Sequence, residues 1–225
     1  MGYVQGVKNV ILKSPVTNPT KIVAVSSNYH EVLLNSQEEV KTESGHKGKT
    51  MREKDLFLKA NTSLLGPGEG ITLGFDGRAN YLAVELALVI GKVAKNICYQ
   101  DALNVLAGYA IGLNSTLQGC EETSLRQSID SFSVLGPWVT TVDEIEDPDD
   151  LNFHMLVNGE IRQQSSTKHL GLDCRRLIEL ACRFYTLYPG DIIMTGAYEA
   201  VEVVKPGDRI ECYFDIIGEM EVEVF

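Results

Sequence analysis

The stretch ANYLAVELALVIGK, residues 79–92, decides how the chain is read. Within it, Val84–Gly91 ("VELALVIG") is a near-continuous apolar run, short and closed by Gly91, which predicts a strand buried on both faces. One charge, Glu85, sits inside the run. It either pairs with a nearby base, faces solvent at the mouth of the fold, or holds an ion.

Outward from this strand the texture is of short strands cut by Gly and Pro. Upstream lie a β-branched strand at Lys21–Ser26 and a second at "LFLKA", followed by a turn at "GPGEG". Between them a short helix is expected around His30–Leu34. Residues 36–55 are polar and rich in Gly, Lys and Glu, and a loop of that length reads as a mobile lid. Downstream, a short helix over Asp101–Ala107 leads into the strand "GYAIGLNST", and "LGPWVTT" forms another. "NFHMLVNGEIRQQ" is a hairpin, with Asn158-Gly159 as its two-residue turn. One helix is expected from Asp173, its N-cap, with Leu177, Leu180, Ala181, Phe184 and Leu187 on one stripe and Pro189-Gly190 as its stop. "DIIMTG" and two closing strands complete the chain. The predicted class is α+β, mostly β, without an internal repeat.

With 225 residues, 44% of them hydrophobic and 23% charged, the chain is long enough for one well-buried domain. Its net charge of −11 and absence of a basic run argue against nucleic acid as a partner. No apolar run is long enough to cross a bilayer and no signal peptide is visible, so no membrane partner and a cytoplasmic location are expected. Five cysteines, an odd number with no C-x-x-C pair, predict reduced thiols.

The order of motifs is specific. "NY" at 28–29, "FLKANTSLLGPGEGI" at 57–71, "VELALVIGKVAKNI" at 84–97 and "DALNVLAGYAIG" at 101–112 come first. "SIDSFSVLGPWVTTVDEIEDPDDLNFHMLVNGEIRQ" at 128–163, "LYPGDIIMTG" at 187–196 and "VKPGDRIE" at 204–211 follow. In this order the chain resembles the fumarylacetoacetate hydrolase family. The resemblance implies a mixed β-roll of that family's C-terminal-domain type over residues 21–225, with residues 1–20 as an N-terminal extension. It also implies a homodimer, and an isomerase, decarboxylase, cyclase or C–C hydrolase acting on an enolisable 2-oxo acid or β-dicarbonyl compound.

The family's metal site departs from its pattern here. Alternate strand residues share a face, so the Glu-x-Glu of the family metal strand falls on Ala83 and Glu85, and only the second is an acid. The third family carboxylate falls on Asn114 and a family lysine on Gln127. The family's catalytic histidine falls on Val32, while His30 and Glu31 stand directly after Tyr29. Acids and lysine are thus lost together, leaving a nearly neutral pocket. The expectation is therefore a rearranged site with no cofactor, Mg²⁺ or Mn²⁺ binding at most weakly through Glu85.

The candidate catalytic residues are His30, Glu31 and Lys59. Tyr29, Asn114, Gln127, His169, Thr195 and Gly196 are the substrate-binding candidates; His46 and His154 are read as solvated and structural. Two other readings remain open: a non-catalytic member that serves as a partner subunit or binds a ligand, and a Mg²⁺ hydrolase drawing acids from Glu121-Glu122 or the 36–55 loop.

Overall fold

The structure is a computed structural model that describes residues 10–26, 28–29, 56–197 and 202–225. The expected helix at 30–34 and the lid at 36–55 lie outside the described residues. Twelve strands are β1 Ile22–Val25, β2 Leu56–Lys59, β3 Leu64–Leu65, β4 Asn80–Ile90, β5 Leu106–Leu117, β6 Ser133–Thr141, β7 Asn152–Val157, β8 Glu160–Ser166, β9 Ile192–Met194, β10 Glu202–Val204, β11 Arg209–Phe214 and β12 Gly218–Glu223. Among the described residues the α-helices are α1 Thr123–Gln127 and α2 Cys174–Phe184.

Strands β2-β1-β9-β4-β5-β6-β3 form one mixed sheet in that order, with β10 on the far end of β4; β12-β11-β7-β8 form a second, antiparallel sheet. The central strand is the one the apolar run predicts, extended upstream to Asn80. Its even-numbered residues Leu82, Val84, Leu86, Leu88 and Ile90 enter the main core. Ala87 and Val89, on the other face, pack with Ile22, Ala24, Ala110, Leu135, Ile192 and Met194 in a smaller core. Period two thus splits one apolar strand between two interiors, and Ala83 and Glu85 belong to the second.

The first sheet curls around that smaller core. Lys59 on β2 and Asn114 on β5 are four strand spacings apart, about 19 Å in a flat sheet, yet Lys59 Nζ lies 2.5 Å from Asn114 Oδ1. Ser63 and Ser133 hydroxyls, 2.8 Å apart, meet beside the β3–β6 pairing. The N-terminal segment lies along the roll: the Gly68 amide donates to Leu12 O, Val16 packs on the smaller core, and Thr20 binds Asp191.

Several expectations at the element level need correction. The helix predicted from Asp173 does start there, with the Asp173 carboxylate accepting from the Arg176 amide. It ends at Phe184, well before Pro189-Gly190, because the chain turns extended at Tyr185 and Leu187 bridges to Ala94. The buried face is Cys174, Leu177, Ile178, Ala181 and Cys182; it shares Leu177 and Ala181 with the predicted stripe, whereas Phe184 is exposed. The expected helix at 101–107 is a 3₁₀ segment over Tyr99–Val105, and α1 had no signal in the apolar pattern.

Candidate active site

Between its pairings with β10 (through Leu82) and β9 (from Ala87), this edge of β4 has no strand partner among the described residues, and the candidate site is built at that gap. Two groups cover the gap. Gln163 Oε1 on β8 accepts from the Val84 amide at 3.0 Å. Thr195, just past β9, donates both its amide (3.1 Å) and its hydroxyl (2.9 Å) to Leu86 O. The chain then turns at Gly196, whose φ of 96° favours glycine, and the Gly196 amide points at the strand's acid.

Glu85 is completely buried. Its Oε1 accepts from Asn114 Nδ2 at 2.8 Å and its Oε2 from the Gly196 amide at 2.8 Å. Asn114 Oδ1 in turn accepts from the Lys59 ammonium, which also donates to Phe132 O at 2.9 Å. A carboxamide therefore bridges a buried anion to a buried cation, accepting from one and donating to the other. Burial pushes the Glu85 carboxyl up, against the pull of Asn114, Gly196 and Lys59. Burial pulls the Lys59 ammonium down to about 7, opposed by the charge of Glu85. Desolvation thus works against the charge on both groups, while their hydrogen bonds and mutual attraction favour it, so each one's proton affinity depends on the other.

Of the residues singled out in the sequence, Lys59, Glu85, Asn114 and Gly196 come together in this chain of hydrogen bonds. Thr195 supports it from behind, with its hydroxyl and amide both committed to Leu86 O. Tyr29 is buried, bridges to Leu170 and lies edge-on to Phe153 at 6.2 Å; burial, then the Glu85 charge, push its phenol up. Gln127 is buried at the end of α1, and its Oε1 has no hydrogen-bond partner among the described residues. His169 is half-buried in the Thr167–His169 turn and takes no part in the Glu85 chain. His30 and Glu31 lie outside the described residues.

Glu121 and Glu122 are exposed, and Glu121 pairs with Arg78 at 2.7 Å, so neither supplies an acid here. His154 stacks on Tyr213 and lines a groove of about 790 Å³ with Pro137, Trp138, Arg209 and Glu221. That groove lies on the second sheet. Its Arg209 is already paired with Glu221 at 2.6 Å.

Sequence reasoning missed Asn28 and Gln163. Asn28 stood in the "NY" motif beside Tyr29 and was legible there; nothing in the pattern of β8 points to Gln163.

Three comparisons bear on this geometry. Maleylpyruvate hydrolase of Aquipseudomonas alcaligenes is 44% identical over 222 residues, spanning 96% of this chain and 76% of that protein. The crystal structure of 5-carboxymethyl-2-hydroxymuconate delta-isomerase from Mycobacterium smegmatis matches with a TM-score of 0.83 at 30% identity, covering 100% of this chain and 85% of that one. Maleylpyruvate hydrolase from Sphingobium sp. SYK-6, in complex with manganese(II) ion and pyruvate, matches with a TM-score of 0.80 at 36% identity, covering 94% of this chain and 72% of that one.

The manganese in that homologue overturns the expectation that no cofactor takes part. The described residues taken alone do not form a closed ligand set. Glu85 is the single carboxylate they bring here, with both oxygens engaged, and no group of three or more His, Cys, Asp or Glu among them is placed to hold a metal. The acid, the amide and the amine that the described residues bring together here are Glu85, Asn114 and Lys59. The fumarylacetoacetate hydrolase C-terminal model matches residues 21–225. Together with a mostly β roll and the motif order along it, this makes the chain a member of the fumarylacetoacetate hydrolase family.

Proposed function

We propose that the protein is an enzyme acting on an acylpyruvate-type substrate, a 2-oxo acid with a second carbonyl β to the first, and that it releases pyruvate by C–C hydrolysis. The observation that carries this reading is the buried Lys59–Asn114–Glu85–Gly196 chain at the gap in β4. The likeness to two maleylpyruvate hydrolases supports the substrate class.

Glu85 reversibly exchanges a proton with the methylene carbon between the two carbonyls, and the Lys59 ammonium supports the enolate oxygen that results. Hydrolysis proceeds from the diketo form: Glu85 takes a proton from the water that adds to the distal carbonyl, and the bond from that carbon to the methylene carbon breaks. Its electron pair passes to the pyruvate enolate, and Glu85 returns the proton to the enolate carbon. Overall, one water is consumed and a carboxylate and pyruvate are released. Asn114 holds the acid and the base at fixed separation throughout.

Residues 21–225 are the catalytic domain in this reading, with Tyr29, Gln127 and His169 as further substrate contacts. The protein works as a homodimer in the cytoplasm; its free thiols at Cys98, Cys120, Cys174, Cys182 and Cys212 suit a reducing compartment.

The test is a panel of acylpyruvates followed by NMR for methylene deuterium exchange and by coupled assay for pyruvate, with Mn²⁺ and after chelation. Glu85→Gln and Lys59→Met are each expected to lower turnover by about 100-fold or more, in the range for loss of a general acid or base. Exchange without pyruvate would make the protein an isomerase. Neither exchange nor product would refute the enzymatic reading and favour a partner subunit.

A further inference from the structure

Asn28 is buried without exposed surface at the end of β1. Its side chain makes three hydrogen bonds to main-chain groups of two other segments. Nδ2 donates to Leu172 O (2.9 Å) and Thr195 O (2.8 Å), and Oδ1 accepts from the Leu172 amide (2.7 Å). Two donors meet two carbonyls and one acceptor meets an N–H, so the orientation of the amide is fixed by its partners. Main-chain bonds reinforce the junction: the Gly171 amide donates to Asn28 O, and Tyr29 bridges to Leu170.

Thr195 O and the Gly196 N–H belong to one and the same peptide unit. An anchor on that oxygen sets the tilt of the Thr195–Gly196 peptide plane, and hence the direction of the Gly196 N–H. That N–H is the donor on Glu85 Oε2. The turn has little slack: a Cβ on Gly196 would lie 2.8 Å from Asn28 Cβ. The residue that leads into this peptide is itself fixed, because the Thr195 amide and hydroxyl both donate to Leu86 O. The turn is thus held on one side by β4, through the Thr195 amide and hydroxyl, and on the other by Asn28, through Thr195 O.

We propose that Asn28 is a positioning residue: by clamping Thr195 O and the Leu172 main chain it aims the Gly196 amide at Glu85 and fixes the carboxylate for reaction. The inference rests on the acylpyruvate reading for its kinetic consequence but not for its structural one. A main-chain donor held in place costs no reorganisation when charge develops, whereas a freed one must be recruited.

The experiment compares wild type, Asn28→Asp and Asn28→Ala, with Glu85→Ala as reference, by NMR of the ¹⁵N-labelled protein without substrate. In wild type the Gly196 amide proton is expected downfield, as for a donor to carboxylate. In both Asn28 variants it moves upfield toward its position in Glu85→Ala, and its exchange with solvent quickens. Asn28→Asp keeps the acceptor for the Leu172 amide and loses the donors to both Leu172 O and Thr195 O, so it removes the clamp on Thr195 while one bond to Leu172 remains. On acylpyruvate, kcat falls about 10- to 100-fold, as a misplacement near 1 Å predicts, while KM changes less than about threefold. An unmoved Gly196 amide in folded variants would overturn the proposal. So would loss of folding in both variants, which would make Asn28 a residue of the fold alone. Wild type inactive on every acylpyruvate refutes the reaction instead, and the Gly196 signal still decides the role of Asn28.

Discussion

Lys59 and Glu85 are two buried charges that no direct ion pair joins; Asn114 stands between them. Removing one member of such a pair leaves the other uncompensated in a low-dielectric interior, at a cost of about 3–5 kcal/mol. Lys59→Met should therefore destabilise the protein by roughly that amount in urea unfolding near neutral pH. Lys59→Met with Glu85→Gln should cost less than the two single changes summed, by about 0.5–3 kcal/mol. Strict additivity would mean that the two groups do not sense each other through Asn114. Glu85 could be read from the sequence because a lone acid in an apolar strand stands out. Its engagement could not, because the partners Lys59 and Gly196 are 26 and 111 residues away and meet only when the sheet curls.

At the scale of elements, glycines separate strain from crowding. Gly159 in the β7–β8 turn has φ of 81° and open space around it, and Asn158 before it also has positive φ. Gly159→Ala should cost about 1–2 kcal/mol, the backbone penalty of a left-handed residue alone. Gly108 on β5 has no such φ, but a Cβ there would lie 2.1 Å from Thr140 O, a main-chain atom with no rotamer to yield. Gly108→Ala should cost about 1–3 kcal/mol as overpacking, and should loosen the β5–β6 pairing near the register shift after Tyr109. Thermal unfolding with amide exchange on Thr140 and Thr141 separates the two. Equal losses with no local change at β6 would defeat the distinction.

The turn at 158–159 was legible because Asn-Gly carries its own conformational preference. The central strand was legible because its apolar run is uninterrupted. The face of α2 was misread for a physical reason. Its start was marked by a cap, but its stripe was extrapolated through Phe184 and Leu187 to Pro189, whereas the helix stops at Phe184 and Leu187 is buried as extended chain against Ala94. Tertiary contacts ended the helix before its sequence signal did.

On the scale of the whole molecule, the N-terminal segment, β1 and β9 are tied together by one buried carboxylate. Asp191 Oδ1 accepts from the Thr20 amide, the Thr20 hydroxyl and the Lys21 amide; Oδ2 accepts from the Lys21 ammonium at 2.6 Å and the Tyr188 amide. Burial alone would raise this carboxyl, but the donors from Lys21, Tyr188 and Thr20 outweigh it and hold the group below the usual range. Between the depressed folded value and the ordinary unfolded value near 3.8, the unfolded chain binds the proton more readily. The stabilisation is therefore present above the unfolded value and is lost as pH falls through the folded one. Acidification should weaken the wild type across this window by freeing residues 20–21 from the β9 end. Asp191→Asn should lose about 3–5 kcal/mol at neutral pH, since Lys21 is left without its anion, and should show a flatter dependence on pH at the acid end. Urea unfolding at pH 7 and at a series of values below 4 provides the measurement. Parallel acid limbs for the two proteins would show that Asp191 is not the group whose protonation unfastens the N-terminal segment.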